Sequence, residues 1–154
     1  MALGSWTEIN GVPGARIDMR RILICFIAGF LAVLLFHQPV VAALNAAGMM
    51  PKGFAPYSLD PVAPFGVPTV VSKALWGGLW AIVLDLALAR TSGQAYWAGW
   101  IILGALALSL VAIFVVPPLK GNAAPSFTER MPVYAAVNAA WGFGTALLLR
   151  LMRR

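Results

Sequence analysis

Arg20-Arg21-Ile-Leu-Ile-Cys-Phe-Ile-Ala-Gly-Phe-Leu-Ala-Val-Leu-Leu-Phe-His37-Gln-Pro-Val-Val-Ala-Ala-Leu-Asn-Ala-Ala47 decides the solvent in which this chain folds. Two arginines stand before a run from Ile22 to Ala47 that has no charged residue. A helix rises about 1.5 Å per residue and the hydrocarbon core is about 30 Å thick, so about 20 apolar residues suffice to cross it. Three further stretches qualify: Val70 to Ala89, Tyr96 to Val116 and Val133 to Leu151. Backbone polar groups in hydrocarbon must be satisfied within the segment, so the spans read as helices. The expectation is one all-α domain, a four-helix transmembrane bundle over 22–151, after an N-terminal segment 1–21 and before a basic tail 152–154.

Composition agrees. The chain of 154 residues is 61% hydrophobic and only 10% charged, against about 25% charged in a soluble domain. Its net charge of +6 is no nucleic-acid stripe, because the basic residues flank the apolar runs and are not interleaved with aromatics. The first run also looks like a signal peptide, yet a cleavable apolar core has about 7–15 residues. This one is longer and no clean Ala-x-Ala site follows, so retention is expected.

Lys and Arg set the direction. Four spans put both termini on one side, with Arg16, Arg20, Arg21, Arg90, Arg150, Arg153 and Arg154; the other side has Lys52, Lys73, Lys120 and Arg130. Seven of the eleven basic residues therefore favour a cytoplasmic N- and C-terminus. Trp97 and Trp100 fit an aromatic belt at the inner end of the third span. The loop between the first two spans has Pro51, Pro56, Pro61, Pro64 and Pro68, which predicts extended, polyproline-like chain. Phe54, Tyr57 and Phe65 between them predict that it lies over the bundle or in the interface.

The halves resemble each other. Leu35-Phe36-His37-Gln38-Pro39 parallels Ile113-Phe114-Val115-Val116-Pro117, and Ala74-Leu-Trp76-Gly77 parallels Ala139-Ala-Trp141-Gly142. Ala81 then matches Ala146, Leu84 matches Leu149 and Asp85 matches Arg150. Two parallel helix–loop–helix repeats, related by an axis along the membrane normal, would produce this pattern; chance similarity among common membrane residues is the alternative. Ala74, Gly77, Gly78, Ala140, Gly142 and Gly144 supply small residues for close helix contact, with Ala136, Ala140 and Gly144 spaced four apart. A tryptophan beside each glycine is expected to fill the gap there.

Few polar residues remain to carry chemistry. His37 and Gln38 lie in the outer half of the first span, beside Pro39, which frees a carbonyl near Leu35 for Gln38 or water to serve. His37 can titrate or donate. With Asn45, Lys73 and Asn138 they either line an outward-facing polar pocket or stitch neighbouring helices, the second being the expectation. Asp85, near the inner end of the second span, either binds a proton or cation or pairs with Arg90, Arg20, Arg21 or Arg150. Interfacial depth and abundant basic partners favour the ion pair. Cys25, the single cysteine, reads as a small buried hydrophobe.

Enzyme motifs are missing: no Gly-x-Ser-x-Gly, no His-Glu-x-x-His and no phosphate loop. One histidine and one cysteine make no metal cluster of familiar spacing, and no cofactor is expected. Pro56-Tyr-Ser-Leu-Asp-Pro-Val-Ala-Pro-Phe-Gly-Val-Pro68, with Ala74-Leu-Trp-Gly-Gly-Leu-Trp80 and Phe36-His-Gln-Pro39, resembles small uncharacterised four-span inner-membrane proteins of bacteria. The resemblance covers roughly the first half of the chain and implies a bacterial inner-membrane location but no activity. The functional expectation is a non-enzymatic protein that acts by helix association, as a homo-oligomer or accessory subunit of a membrane complex. The alternative is a small dimeric transporter or channel using Asp85 or the His37/Gln38 region.

Overall fold

The computed structural model describes residues 18–50, 54–63, 65–119 and 121–153; Arg16, Pro51, Lys52, Pro64, Lys120 and Arg154 lie outside them. It is an all-α bundle of four helices long and apolar enough to cross a membrane: α1 (Met19–Ala46), α2 (Thr69–Ala87), α3 (Gly93–Leu119) and α4 (Phe127–Met152). The protein is a multi-pass membrane protein. The end of the bundle where α1 starts and α4 stops is called the terminal end below, and the opposite one the loop end.

A side-chain cap sets the start of α1, while α2, α3 and α4 begin without one. α1 begins three residues before the expected Ile22 because Asp18 caps it, its Oδ1 accepting from the amides of Arg20 and Arg21 at 3.1 and 3.3 Å. α4 begins at Phe127, not Val133, with Glu129 in its first turn, where a negative charge suits the positive helix end. Pro132 lies within its second turn and leaves one carbonyl without its helical donor.

Pro39 does not break α1. Residues Val33–His37 form a π turn, so the amide of Gln38 bonds to the carbonyl of Val33. That one-residue slip moves the carbonyl orphaned by Pro39 from Leu35, where a regular helix would have it, to Leu34. Gln38 does not serve it; the Tyr57 hydroxyl donates to Leu34 O at 2.8 Å. In α3 the π turns span Gly104–Leu108 and Val111–Val115, and the second stands before Pro117 as the first stands before Pro39. The slip lets α3 run past the expected Val116 to Leu119. Gly121, at φ +72°, then reverses the chain.

The proline-rich connection is not polyproline-like throughout. Two short strands, β1 (Pro61–Val62) and β2 (Val67–Pro68), pair antiparallel with Val62 opposite Val67. Gly66 closes their turn at φ +65° and donates to Val62 O. Prolines are tolerated because they stand at the end of this two-pair ladder. The loop lies over the bundle, as expected. The amides of Thr69 and Val70 donate to Asp60 O and Ser58 O at 2.9 and 3.0 Å, satisfying the first turn of α2.

α1 packs on α2 and on α4, and α4 packs on α3, while α2 and α3 share no extended contact. The two hairpins therefore meet through a single face. Glycines set the close approaches. A Cβ on Gly29 would collide with Ala81 and the Gly77 carbonyl, and one on Gly142 would collide with the Trp100 carbonyl. Gly78 lies against the Phe26 ring and Gly144 against the Phe36 ring. Ala74 is fully buried, Ala140 is half-buried and Ala136 is exposed, so the face expected from Ala136, Ala140 and Gly144 is used only at its Gly144 side.

The two tryptophans expected to be equivalent are not. Trp141 is 1% exposed and Trp76 is 62% exposed. The gap beside Gly77 is filled by Val33 of α1 and, across the hairpins, by the Trp141 indole 3.0 Å from where a Cβ would stand. Trp100 is not in the belt either. Gly142 lets α4 reach its backbone, and the ring is fully buried against Trp141 at 6.3 Å.

Clash with backbone cannot be relieved by a rotamer change, whereas clash with a ring can. Gly142→Ala and Gly29→Ala should therefore destabilise by about 1–3 kcal/mol, the usual range for overpacking, and Gly78→Ala, which meets only the Phe26 ring, by less. Thermal unfolding of each variant in one detergent, followed by tryptophan fluorescence, checks the order; equal losses at all three sites would refute it.

Candidate functional site

Polar side chains gather at the two ends of the bundle. At the terminal end Asp85 of α2 is 5% exposed. Its Oδ2 accepts from Arg21 Nε at 2.7 Å and its Oδ1 from Arg153 Nη1 at 2.8 Å. Arg21 Nη2 also donates to the Asp85 carbonyl at 3.3 Å, one of the last carbonyls of α2 and so lacking a helical donor. Arg153 Nη2 donates to Cys25 Sγ at 2.9 Å. Cys25, 1% exposed, is thus more than packing: its sulfur is the last member of a chain of contacts that fastens α1, α2 and α4.

Of the partners expected for Asp85, only Arg21 takes the role; Arg20, Arg90 and Arg150 form no ion pair with it among the described residues. Helix geometry explains why Arg153 replaces Arg150. Leu149 is fully buried; a residue four further on returns to the same face, while the next residue is about 100° away. Arg150 accordingly lies over the Trp97 ring of α3, 5.6 Å from its centroid. Arg153, within the expected basic tail, folds back into the bundle.

At the loop end Gln38 is 1% exposed and its Oε1 accepts from the Tyr57 amide at 2.8 Å. With the Tyr57 hydroxyl on Leu34 O, one loop residue makes both bonds. Tyr57 adopts φ +51° to do so, a left-handed conformation that costs a non-glycine residue about 1 kcal/mol. His37 has a buried Nδ1 without a partner, and Lys73 is near enough for its charge to act on it. Lys73 Nζ and Arg130 Cζ each lie 5.7 Å from the Phe54 centroid, and Tyr134 packs on the same ring at 5.9 Å.

The five candidate residues therefore divide into three places. His37, Gln38 and Lys73 share the loop end, and Asp85 is at the terminal end. Asn138 instead donates to Ser109 Oγ at 3.0 Å, stitching α4 to α3 between the two π turns of α3. Arg153, Tyr57, Ser109 and Arg130 escaped the sequence reading. Arg153 was traceable through its four-residue spacing from Leu149, and Ser109 as a polar residue within a span; nothing in the sequence aligns Tyr57 with Leu34.

A scan against protein-family models gave no match, and searches of curated proteins and of solved structures gave none.

Removing one partner of a buried pair costs about 3–5 kcal/mol, and less where the cations reach water. The Arg21 and Arg153 side chains are 40% and 33% exposed, so Asp85→Asn should cost about 1–3 kcal/mol, the lower range expected when the charges left behind stay hydrated. A double-mutant cycle of Asp85→Asn with Arg153→Gln should show coupling in unfolding midpoints, and strict additivity would exclude the pair as a stabilising contact. Tyr57→Phe removes only the bond to Leu34 O and should cost about 1 kcal/mol, with faster hydrogen exchange confined to the loop end.

Proposed function

We propose that this is a non-enzymatic membrane protein that acts by helix association, as a homo-oligomer or as an accessory subunit of a larger membrane complex. The supporting observation is the double ion pair on Asp85. Among the described residues the one acidic group buried within a span is engaged on both oxygens, by arginines at the start of α1 and the end of α4, an arrangement suited to fastening helices. Asn138 and Gln38 are likewise spent on bonds between segments. The outward surface is apolar, as on α2, where Trp76, Leu79, Val83 and Leu86 are 62, 47, 52 and 66% exposed at helical spacing, available to lipid or to a partner helix.

The proposed location is a bacterial cytoplasmic membrane with both termini inside, in keeping with the sequence resemblance. Among the described residues Arg20, Arg21, Arg90, Arg150 and Arg153 belong to the terminal end, and Lys73 and Arg130 to the loop end.

A small dimeric transporter or channel is the second reading, and one observation favours it. A π turn, a feature frequent at functional sites, presents His37 with its buried, unpartnered Nδ1.

Native mass spectrometry of the protein drawn from its own membrane should give a defined homo-oligomer or a stoichiometric complex with another chain. Asp85→Asn should then lower protein level or assembly. Loss of solute flux in a normally assembled Asp85→Asn or His37→Ala variant would replace the association reading with the transporter.

A further inference from the structure

We propose that the recess between the start of α3 and the end of α4 seats the phosphate of an anionic membrane lipid. The recess holds about 260 Å³ and is walled by Thr91, Ser92, Gly93, Tyr96, Arg150 and Arg153. Among the described residues no carboxylate lines it. Arg150 is exposed and forms no ion pair among the described residues; the Trp97 face fixes its guanidinium beside the cavity. An aromatic face holds a guanidinium in place while leaving its N–H donors free for an anion. Arg153 adds positive charge, although two of its nitrogens are committed to Asp85 and Cys25. The Ser92 hydroxyl makes no capping bond to α3 and is open to a phosphate oxygen.

A second recess of about 280 Å³, between α1 and α4, is the natural comparison. It has Arg20, Arg21 and Arg153, but it also contains Asp18, and two of its three arginines are bound to Asp85. Charge complementarity to an anion is therefore better in the first. The source of the phosphate follows from depth. Tyr96 and Trp97 are aromatics of the kind that lie at headgroup level, so a lipid reaches the cavity from the bilayer edge with its chains alongside the helices. Basic recesses between membrane helices take anionic headgroups for these reasons. The lipid site stands independently of the association reading.

The test is native mass spectrometry of the whole protein titrated with phosphatidylglycerol or phosphatidylcholine in the same detergent. Phosphatidylglycerol should be retained in preference. Arg150→Gln should weaken that retention roughly fivefold, the worth of one basic residue at a membrane surface, while Arg20→Gln in the other recess leaves it unchanged. Arg150 takes no part in the Asp85 cluster, so its variant should fold. Ser92→Ala, at an exposed position, gives a second reading and should weaken retention by about twofold or more, as for one lost hydrogen bond. Equal retention of both lipids, equal loss in Arg20→Gln and Arg150→Gln, or no loss in either Arg150→Gln or Ser92→Ala would overturn the site. Displacement of the lipid by millimolar inorganic phosphate would overturn the lipid as its ligand.

Discussion

A carboxylate one turn from the end of a membrane helix cannot be left alone, and Asp85 organises this bundle for that reason. Desolvating its charge costs several kcal/mol, and two guanidiniums offset it from opposite sides. Those guanidiniums belong to the first turn of α1 and the residue after α4, so neutralising one group fixes the relative height of three helices. Arg21 also serves the Asp85 carbonyl, joining charge neutralisation to the capping of α2. The arginines remain partly hydrated, which keeps the cluster at the rim of the membrane and limits its cost.

Away from that rim, lipid supplies no hydrophobic drive to bring helices together, and contact depends on how closely backbones approach. Gly29 and Gly77 permit it in the first hairpin, and Gly104 and Gly142 in the second. The hairpins are then joined by one indole. Trp141 donates to the Gly29 carbonyl at 3.0 Å and, with Val33, fills the space left by Gly77. α1 thereby contacts its own hairpin partner and the other hairpin at a single level. α1 is central to the bundle, since it supplies Arg21, Gly29 and a π turn.

The sequence showed the solvent, the number of helices, the small-residue contacts at Gly77 and Gly142, and Asp85 as a group in need of cations. These follow from local properties: apolar run length, residue size and charge. The unexpected features depend on rotation about a helix axis or on a contact distant in the chain. Arg150 and Arg153 are alike in composition, and only the phase set by Leu149 separates them. Trp76 and Trp141 share a motif, and only packing sends one outward and the other inward. α4 begins before the expected Val133 because its first turns are polar and a proline in the second turn costs the helix only one carbonyl donor.

The proline kinks separate what packing requires from what it does not. A proline deep in a membrane helix orphans a carbonyl, and the chain answers twice with a π turn two residues before it, at Pro39 and at Pro117. At these two places the turn accompanies a proline, whereas the π turn at Gly104–Leu108 has none directly after it. The surrounding residues differ. His37 and Gln38 in the first hairpin stand where Val115 and Val116 stand in the second, and only the first hairpin has Tyr57 reaching in from its loop. Gln38 and Tyr57 account for each other through the loop they anchor. His37 is left over: its buried Nδ1 has no bond, the apolar counterpart Val115 shows that the turn does not need it, and a cation lies nearby. Among the described residues Trp100 Nε1 and Arg130 Nη1 are also buried without a bond, but both of those side chains pack on an aromatic ring, Trp141 and Phe54.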